Sequence, residues 1–532
     1  IFGLHITRKG QPVKPTADRE VAYSNVYAIS FDGEKNLGEI GPIKKYVVDY
    51  NGLRLRSWQA YLDSEVAQTI ISRKTIWVIG SGLKLQCEPQ LAVLEGEKIK
   101  LDTEEFNYRA ESRFRVYADS TMASYSGMQT LHQIATDAYK NAIVGGDVLV
   151  VLRYESGTVK VELIDGTHVQ SPINLQYNGK YYVAKNGNRI IDGIEVDRRG
   201  THVAYHVATE VYGKYERIPA RGEKSGHIMA YMVYGLKYRL NNMRGIPLIS
   251  AVMETAKKME RYKEATVGSA EERQKIAFAI EHGVNSTEEN PLVSRIASAF
   301  NADKPTDIPT DVDGQKLANK VAATTNKTTI NMPRDSKLVQ LESKNELSFK
   351  DFYLTLVDAA CATVGIPPNV AMSKYDSNFS ASRAALKDWE HTIAVDRKDF
   401  AKQFYKPIYD LWLHVQILEN KINAPGYLRA FQSGNMMAIE AYTTARWVGP
   451  SVPHIDPVKE VQAERAKLGS MAGAIPLTTV EAATEALSGG DAYSNMEQFS
   501  EEVKEAQRLK IEVGVHTTPS RRGSTTPSQE PS

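Results

Sequence analysis

The run Arg446-Trp447-Val448-Gly449-Pro450, with Ile455-Asp456-Pro457 and then Lys459 and Glu460 just beyond it, constrains this chain more than any other stretch. Proline fixes its own φ and removes a backbone donor, and a Gly-Pro pair turns the chain sharply. An aromatic anchor ahead of that corner, and a further proline ahead of a charged, helix-forming segment, predict a rigid bend that sets one helix against another. Such a bend needs a packed body on each side of it. With 532 residues, 42% of them hydrophobic and 24% charged, the chain exceeds what one core supports and is expected to form two to four domains.

The formal net charge is +1, so no strong global field holds the protein to nucleic acid or to an anionic membrane, and any DNA contact has to be local or weak. The two cysteines, Cys87 and Cys361, stand far apart in sequence and form no C-x-x-C pair. That argues against a disulfide framework or a zinc ribbon and fits assembly in a reducing compartment. No run of about 18 apolar residues and no signal peptide occur, so neither a membrane span nor a secretory route is expected. The first residue is Ile1 rather than Met, as processing or a numbering choice would leave it.

Helical spacing appears over residues 41–79, where Val47, Leu53, Trp58, Leu62, Val66, Ile70 and Val78 recur among charges, and again over 126–141. Strand signals then take over. Residues 147–154 and 159–164 alternate β-branched side chains and are joined by the turn formers Glu155, Ser156 and Gly157, which predicts a hairpin. Residues 181–184, 190–196 and 202–207, with a turn at Asn186-Gly187-Asn188, continue the pattern, so residues 1–245 read as an α+β domain.

Gly245-Ile246-Pro247 places a proline where the first helical turn tolerates it, and no further proline occurs before Pro291. Ile249, Val252, Met253, Ala256, Met259, Val267 and Ala270 form a stripe at mostly three- and four-residue spacing, with Lys257, Lys258, Arg261 and Lys263 largely off it. The spacing predicts one helix over 246–282, stopped at Gly283 and roughly 55 Å long at about 1.5 Å per residue. The stripe suits an ordinary core helix; it also suits a strut packed against copies of itself around a ring. Between 283 and 345 the chain turns polar and proline-rich, with strand candidates at 328–332 and 337–341, and reads as a small module between helices. A compact helix follows over 349–364, capped by Ser348, with Phe352, Leu356, Ala359, Ala360 and Thr363 on one face; Gly365-Ile366-Pro367-Pro368 ends it.

Two sets of residues resemble one known family. The pattern W-V-G-P-x-x-x-x-I-D-P-x-K-E-x-x-A from Trp447 is similar to the C-terminal signature of the lambda-type phage portal proteins. Phe349 and Phe352, followed by Val364-Gly365-Ile366-Pro367-Pro368 and by Y-D-S-N-F-S-A-S-R-A-A-L from Tyr375, resemble that family's second stem helix, tunnel loop and following helix. The resemblance extends over most of the chain after about Val21. It implies an α+β, predominantly helical portal-type subunit: a mixed wing (1–245), a first stem helix (246–282), a small α/β clip (283–346), a second stem helix (347–366), a tunnel loop with a long kinked helix (367–425), a helical crown (426–515) and a disordered tail (516–532). It also implies a homo-oligomeric ring, usually of twelve subunits, at one capsid vertex of the virion, assembled in the host cytoplasm. Double-stranded DNA would pass through that ring without sequence specificity. The terminase large subunit, the major capsid protein and head-tail adaptor proteins would be its partners, with no catalytic residue, no cofactor and no membrane involved.

The candidate DNA-channel residues are Lys374, Tyr375, Asn378, Phe379, Ser380, Arg383 and Lys387. Residues 374–382 are rich in Ser, Asn and Asp beside the aromatic Tyr375 and Phe379, which suits a mobile loop whose small polar groups face a phosphate backbone. Arg383 and Lys387 are the nearest basic groups, and each phosphate neutralised strengthens sequence-independent binding. An ordinary surface loop before a helix capped by Ser380 or Ser382, with a solvated basic face, accounts for the same residues. The signature residues Trp447, Gly449, Pro450, Ile455, Asp456, Pro457, Lys459 and Glu460 are read as structural.

The helix after the loop carries Ala384, Leu386, Trp389, Ile393, Phe400, Phe404, Ile408, Trp412 and Val415, a packing stripe with a kink expected at Pro407. Charged helices over 457–468 and 494–511, with a short one capped by Thr478 or Thr479 between them, complete the expected crown. Rival classes leave less trace. No G-x-x-x-x-G-K-[ST], H-E-x-x-H or G-x-S-x-G occurs. On a strand His202 and His206 lie about 13 Å apart, too far to share a metal, and read as neutral groups on a sheet surface. The pairs Glu104-Glu105 and Glu271-Glu272 read as solvated, and no motif activates Lys74 or Cys361, which leaves a metal-dependent nuclease or a non-viral ring-forming scaffold as the alternatives.

Overall fold

In a computed structural model of the chain the described residues are 29–31, 46–178, 181–223, 225–240, 242–280, 328–331, 349–374, 379–450, 457–469, 475–488, 490 and 492–509. The strand candidate at 337–341, most of the polar insert, the Ser348 cap and the tail over 516–532 lie outside them. The fold is α+β and predominantly helical.

In chain order, β1 (Ile29–Phe31) and β2 (Tyr46–Val48) lead into α1 (Tyr50–Asp63) and α2 (Glu65–Val78). β3 (Lys84–Cys87), α3 (Leu91–Gly96), α4 (Thr103–Asp119) and α5 (Leu131–Gly145) follow. Next come β4 (Asp147–Glu155), β5 (Thr158–Asp165), β6 (Gln176–Tyr177), β7 (Tyr182–Val183), β8 (Arg189–Ile191), β9 (Ile194–Val196), β10 (His202–Ala208), β11 (Tyr215–Pro219) and β12 (Ala230–Tyr234). The remainder holds α6 (Met253–Lys275), β13 (Ile276–Ile280), β14 (Thr328–Asn331), α7 (Phe349–Val364), α8 (Pro368–Ala371), α9 (Phe379–Gln403) and α10 (Tyr405–Leu418). It ends with α11 (Tyr427–Ser433), α12 (Met436–Thr443), β15 (Ala445–Val448), α13 (Pro457–Lys467), α14 (Val480–Ser488) and α15 (Ala492–Arg508).

The chain divides into two compact units. The first comprises Ile1–Arg73, Lys140–Asp147 and Tyr234–Asp376, and its polar centre is Asp147, only 1% exposed. This carboxylate accepts from Arg54 Nη2 (2.5 Å), from Arg244 Nε and Nη2 (both 2.7 Å) and from the Gly245 amide (2.8 Å). Burial by itself would raise the Asp147 pKa, but the Arg244 and Arg54 guanidiniums more than offset it and hold the carboxyl below its ordinary value. Arg54 Nε also donates to the Gly145 carbonyl and Ser57 to that of Val144, which staples α1 to the C-terminal end of α5. The backbones cross closely here: a Cβ on Gly245 would lie 1.9 Å from the Gly146 carbonyl oxygen.

Three expectations for this unit are corrected. Residues 41–79 are not one helical stretch: β2 takes Tyr46–Val48, and Ser64, buried and extended at φ −104° and ψ 117°, separates α1 from α2. The helix expected over 246–282 opens as a 3-10 turn at Leu248–Ala251 and stops at Lys275, so α6 runs roughly 35 Å at about 1.5 Å per residue. Alternating Ile276, Phe278 and Ile280 favour a strand, and β13 pairs in parallel with β14, the strand expected at 328–332. The stripe is buried only as far as Met259; Val267 is 52% exposed and Ala270 is exposed. α7 has the predicted bounds, but its buried face is Val357, Ala360, Cys361 and Val364, with Ala359 and Thr363 exposed. Thr363 satisfies its hydroxyl on the Ala359 carbonyl, so it needs no core position. Tyr262 of α6 stacks on Phe349 at 5.5 Å and meets Phe352 edge-on at 4.8 Å, joining α6 to α7.

The second unit comprises Lys74–Tyr139, Val148–Val233 and Ser377–Ser532. β4 and β5 form the predicted hairpin in register Glu155↔Thr158, turned by Ser156 (φ +53°) and Gly157 (φ +75°), and β12 joins the other edge of β4. β6 to β11 form an antiparallel meander in sequence order. The expected strand over 190–196 is two strands, because Asp192 (φ +49°) and Gly193 (φ +85°) turn the chain between β8 and β9. The helix expected over 126–141 is α5, which starts at Leu131 and reaches Gly145.

The aromatic stripe after the loop is packing, as expected: Trp389, Ile393, Phe400, Phe404, Ile408, Trp412 and Val415 are buried, although Ala384 is exposed and Leu386 half-buried. The break falls at Phe404, three residues before Pro407. Pro407 has no N–H to donate to the Gln403 carbonyl four residues back, and the neighbouring Phe404 carbonyl accepts from Tyr231 Oη at 2.8 Å. His202 and His206 both lie on β10, but His206 is buried rather than on a surface, with Nε2 3.3 Å from Glu195. Glu195, fully buried, also accepts from Asn186, Asn188 and Arg217; these bonds overcome the effect of burial and bring its pKa down to about 2.

Candidate functional site

The first candidate element begins where α7 ends. Gly365 takes φ +72°, which L side chains rarely adopt, and Ile366 N–H returns to the Cys361 carbonyl at 3.0 Å. Pro367 and Pro368 prevent continuation, and α8 is a single turn closed by the Lys374 amide on the Asn369 carbonyl (3.0 Å). Lys374 is exposed. Tyr375 and Asn378 lie outside the described residues. α9 starts at Phe379, so Phe379 and Ser380 stand in its first turn and Arg383 in its second; the expected loop over 374–382 ends earlier, and neither Ser380 nor Ser382 precedes the helix as a cap. Lys387 is exposed and pairs with Glu390 at 2.7 Å, so its charge is partly offset within its own helix.

The second element is the corner after Trp447. The bend does not join two helices: it follows a strand. β15 pairs antiparallel with β3, with Trp447 opposite Leu85 and Val448 opposite Lys84. Trp447 lies 5.6 Å from Phe114 and 6.1 Å from Tyr409, both edge-on, and 4.8 Å from Tyr405. Next to it, Arg446 meets three carboxylates, Glu88 (3.1 Å), Glu481 (2.7 Å) and Glu485 (2.9 Å), which fastens α14 to this strand pair. The α14 cap is Thr479, whose Oγ accepts from the Ala482 amide at 3.1 Å.

Gly449 and Pro450 are held by a residue that the sequence does not flag. Arg397 of α9 donates to the carbonyls of Val78 (3.1 Å), Trp77 (3.0 Å) and Pro450 (2.9 Å), tying the end of α2 to the corner. A Cβ on Gly449 would fall 2.4 Å from Arg397 Nε, and one on Gly80 (φ +60°) would fall 2.7 Å from Pro450 Cγ. Both glycines therefore make room for the arginine clamp and the proline ring. Ile455 and Asp456 lie outside the described residues. Pro457 opens α13 at its first position, Lys459 is exposed and Glu460 half-buried.

Groups weighed for chemistry have structural settings. Lys74 is buried, 2.6 Å from Asp396 and over the Trp389 ring. Burial pushes the Cys361 thiol up to about 12 and the Cys87 thiol higher still, and both cysteines are free. Glu104 and Glu105 are exposed in the first turn of α4. Among the described residues, no group of three or more His, Cys, Asp or Glu could hold a metal ion, and no helix is long and apolar enough to cross a membrane.

The model of the family described as "Phage portal protein, lambda family" matches residues 41–397, about two thirds of the chain. The match stops at Arg397 and leaves the Trp447 corner beyond it. Among solved structures, the chain is similar to "Neck of empty GTA particle computed with C6 symmetry", with 11% identity, 89% of this chain and 99% of that chain covered, and a TM-score of 0.38. It is also similar to "Virion of native gene transfer agent (GTA) particle", with 11% identity, the same coverage and a TM-score of 0.35.

Proposed function

Because this chain belongs to the lambda family of phage portal proteins, we propose that its copies close into a homo-oligomeric ring, a dodecamer in the virion, at one vertex of a capsid. Double-stranded DNA enters and leaves through the bore of that ring. The wing is assigned to residues 1–245, the first stem segment to 246–282 with α6 as its helix and the second to 347–366 with α7 as its helix, around a clip at 283–346, the tunnel loop and kinked helix to 367–425, and the crown to 426–515. The observation that carries the reading is the family match over residues 41–397. The packing of α6 on α7 through Tyr262 supports it, since these two helices flank the polar insert as a pair of stem helices would.

The role is mechanical rather than enzymatic. The chain contacts DNA without reading sequence, and a net charge of +1 suits a conduit that guides a duplex better than a binder that holds one. The terminase large subunit docks during filling, the major capsid protein surrounds the ring, and head-tail adaptor proteins follow. Assembly takes place in the host cytoplasm. Negative-stain images of the purified protein test this directly. Closed rings of about a dozen subunits with a central hole are expected from a heterologous interface; monomers or dimers alone at high concentration would overturn the reading, and divalent-metal-dependent DNA cleavage would favour a nuclease.

A further inference from the structure

A cavity of about 640 Å3 opens in the second unit between α4, α10 and the β4–β5 turn. Its floor is Tyr117 and Trp412, both nearly fully buried, with ring centroids 6.0 Å apart. Its walls carry Arg113, Lys160 and Lys421 and no carboxylate. Lys421 is paired with Glu419 at 2.5 Å, whereas Arg113 is held only by Gln416 (2.9 Å) and Lys160 only by the Ser124 carbonyl (3.3 Å) among the described residues. Val116 (62% exposed) and Met122 stand at its mouth as uncovered apolar side chains. The site therefore combines an aromatic floor, an apolar rim and two cations with no anionic partner. That chemistry fits an acidic segment bearing a bulky apolar anchor.

One segment of this chain has that chemistry. On α15, Tyr493, Met496 and Phe499 are exposed large apolar residues on the same side of the helix as Val503. Glu497, Glu501, Glu502 and Glu505 lie on the remaining surface against only Lys504 and Arg508, and Arg508 is paired with Glu505. We propose that α15 of one copy seats Phe499 and Met496 in the cavity of the next copy, with Glu497 and Glu502 meeting Arg113 and Lys160. The inference rests on the ring reading and gives that ring one of its contacts. The helix and the cavity are different surfaces, so their contact is heterologous, the type that repeats around a closed ring.

Two experiments on the full-length chain test this. In the first, Arg113→Glu with Lys160→Glu, and separately Glu497→Lys with Glu502→Lys, should each lower the ring fraction in light scattering at least about tenfold, because like charges then face each other. Combining all four changes should restore rings. In the second, Met122→Cys with Ser500→Cys, which keeps the Phe499 anchor, should under mild oxidation give a ladder of cross-linked multimers, which the two native cysteines, both buried, do not supply. Intact wild-type rings with no loss in the charge variants, no restoration in the combination, or only intrachain cross-links would overturn this contact while leaving the portal reading in place. No rings from the wild type would remove both.

Discussion

Gly449 lies against the guanidinium of Arg397 with no space for a side chain between them: a Cβ there would be 2.4 Å from Nε and 2.5 Å from Cζ. The arginine uses that space to reach three carbonyls, two at the end of α2 and one at Pro450. Gly449→Ala should displace the clamp. With hydrogen bonds to a charged group contributing about 1.5–3 kcal/mol each and some water able to replace them, a loss of about 2–4 kcal/mol is expected in urea denaturation. Arg397→Ala should cost a similar amount, and the double variant should cost less than the sum, since both changes remove one interaction. Full additivity would show that the two residues are energetically independent.

Asp147 is an anion shared by two buried guanidiniums, so removing its charge takes one counter-charge from Arg54 and Arg244 together. Asp147→Asn should destabilise the first unit by about 3–5 kcal/mol, the range for breaking a buried ion pair from one side. The folded pKa is depressed, so the contribution is fully present above the ordinary aspartate value near 4 and is lost as pH falls through the lower folded value. The part of acid destabilisation that comes from Asp147 should therefore begin below about pH 4. The variant should lack that component of the pH dependence. A variant that melts with the wild type at pH 7 would contradict the assignment.

These two centres also show what the sequence can and cannot reveal. The β4–β5 hairpin is legible because β-branched alternation and the Ser156-Gly157 turn are local signals, and α7 is legible because its ends are marked by Gly365 and two prolines. The pairing of Trp447 with Leu85 is not, since nothing within either short strand specifies a partner some 360 positions away. In sequence Arg397 is one more charge on a helix, and its role depends on where two distant carbonyls end up. The buried face of α7 is rotated from the expected one because that helix carries apolar residues nearly all round, leaving periodicity with little to discriminate. α6 ends before its spacing suggests although no breaker stands at Lys275; the strand that replaces it is stabilised by β14, which lies across the insert.

The His414 ring packs at a tilt against His227 at a centroid distance of 4.3 Å and against Phe431 at 4.4 Å, and Tyr427 lies 5.8 Å away. Burial, reinforced by His227, pushes the His414 pKa down to about 4, and Arg221 acts on His227 in the same direction. As pH falls from about 6.5, an unfolded histidine takes up a proton that the folded site refuses, so this stabilisation is complete above the unfolded pKa and disappears as pH falls through about 4. The urea midpoint of the wild type should drop between pH 7 and pH 5. His414→Leu should flatten that drop; an unchanged slope would place the titration elsewhere.

Because α9 already begins at Phe379, a deletion meant to probe the proposed tunnel loop has to stop before it. Removing Tyr375, Asp376, Ser377 and Asn378 leaves the first turn of α9 and the Lys374 closure of α8 in place, so rings should form at wild-type yield. DNA retention in filled particles should fall, because the groups proposed to touch the duplex are gone. Lys374→Ala tests the same idea by charge: if Lys374 meets phosphate, binding of the ring to random-sequence duplex should show a salt dependence shallower by about 0.9 in log–log slope for each phosphate that is no longer neutralised. Lys387→Ala should change that slope less, since Glu390 already offsets its charge. Normal retention after the deletion would exclude these four residues from the channel, and loss of rings would mean that the segment braces the subunit instead.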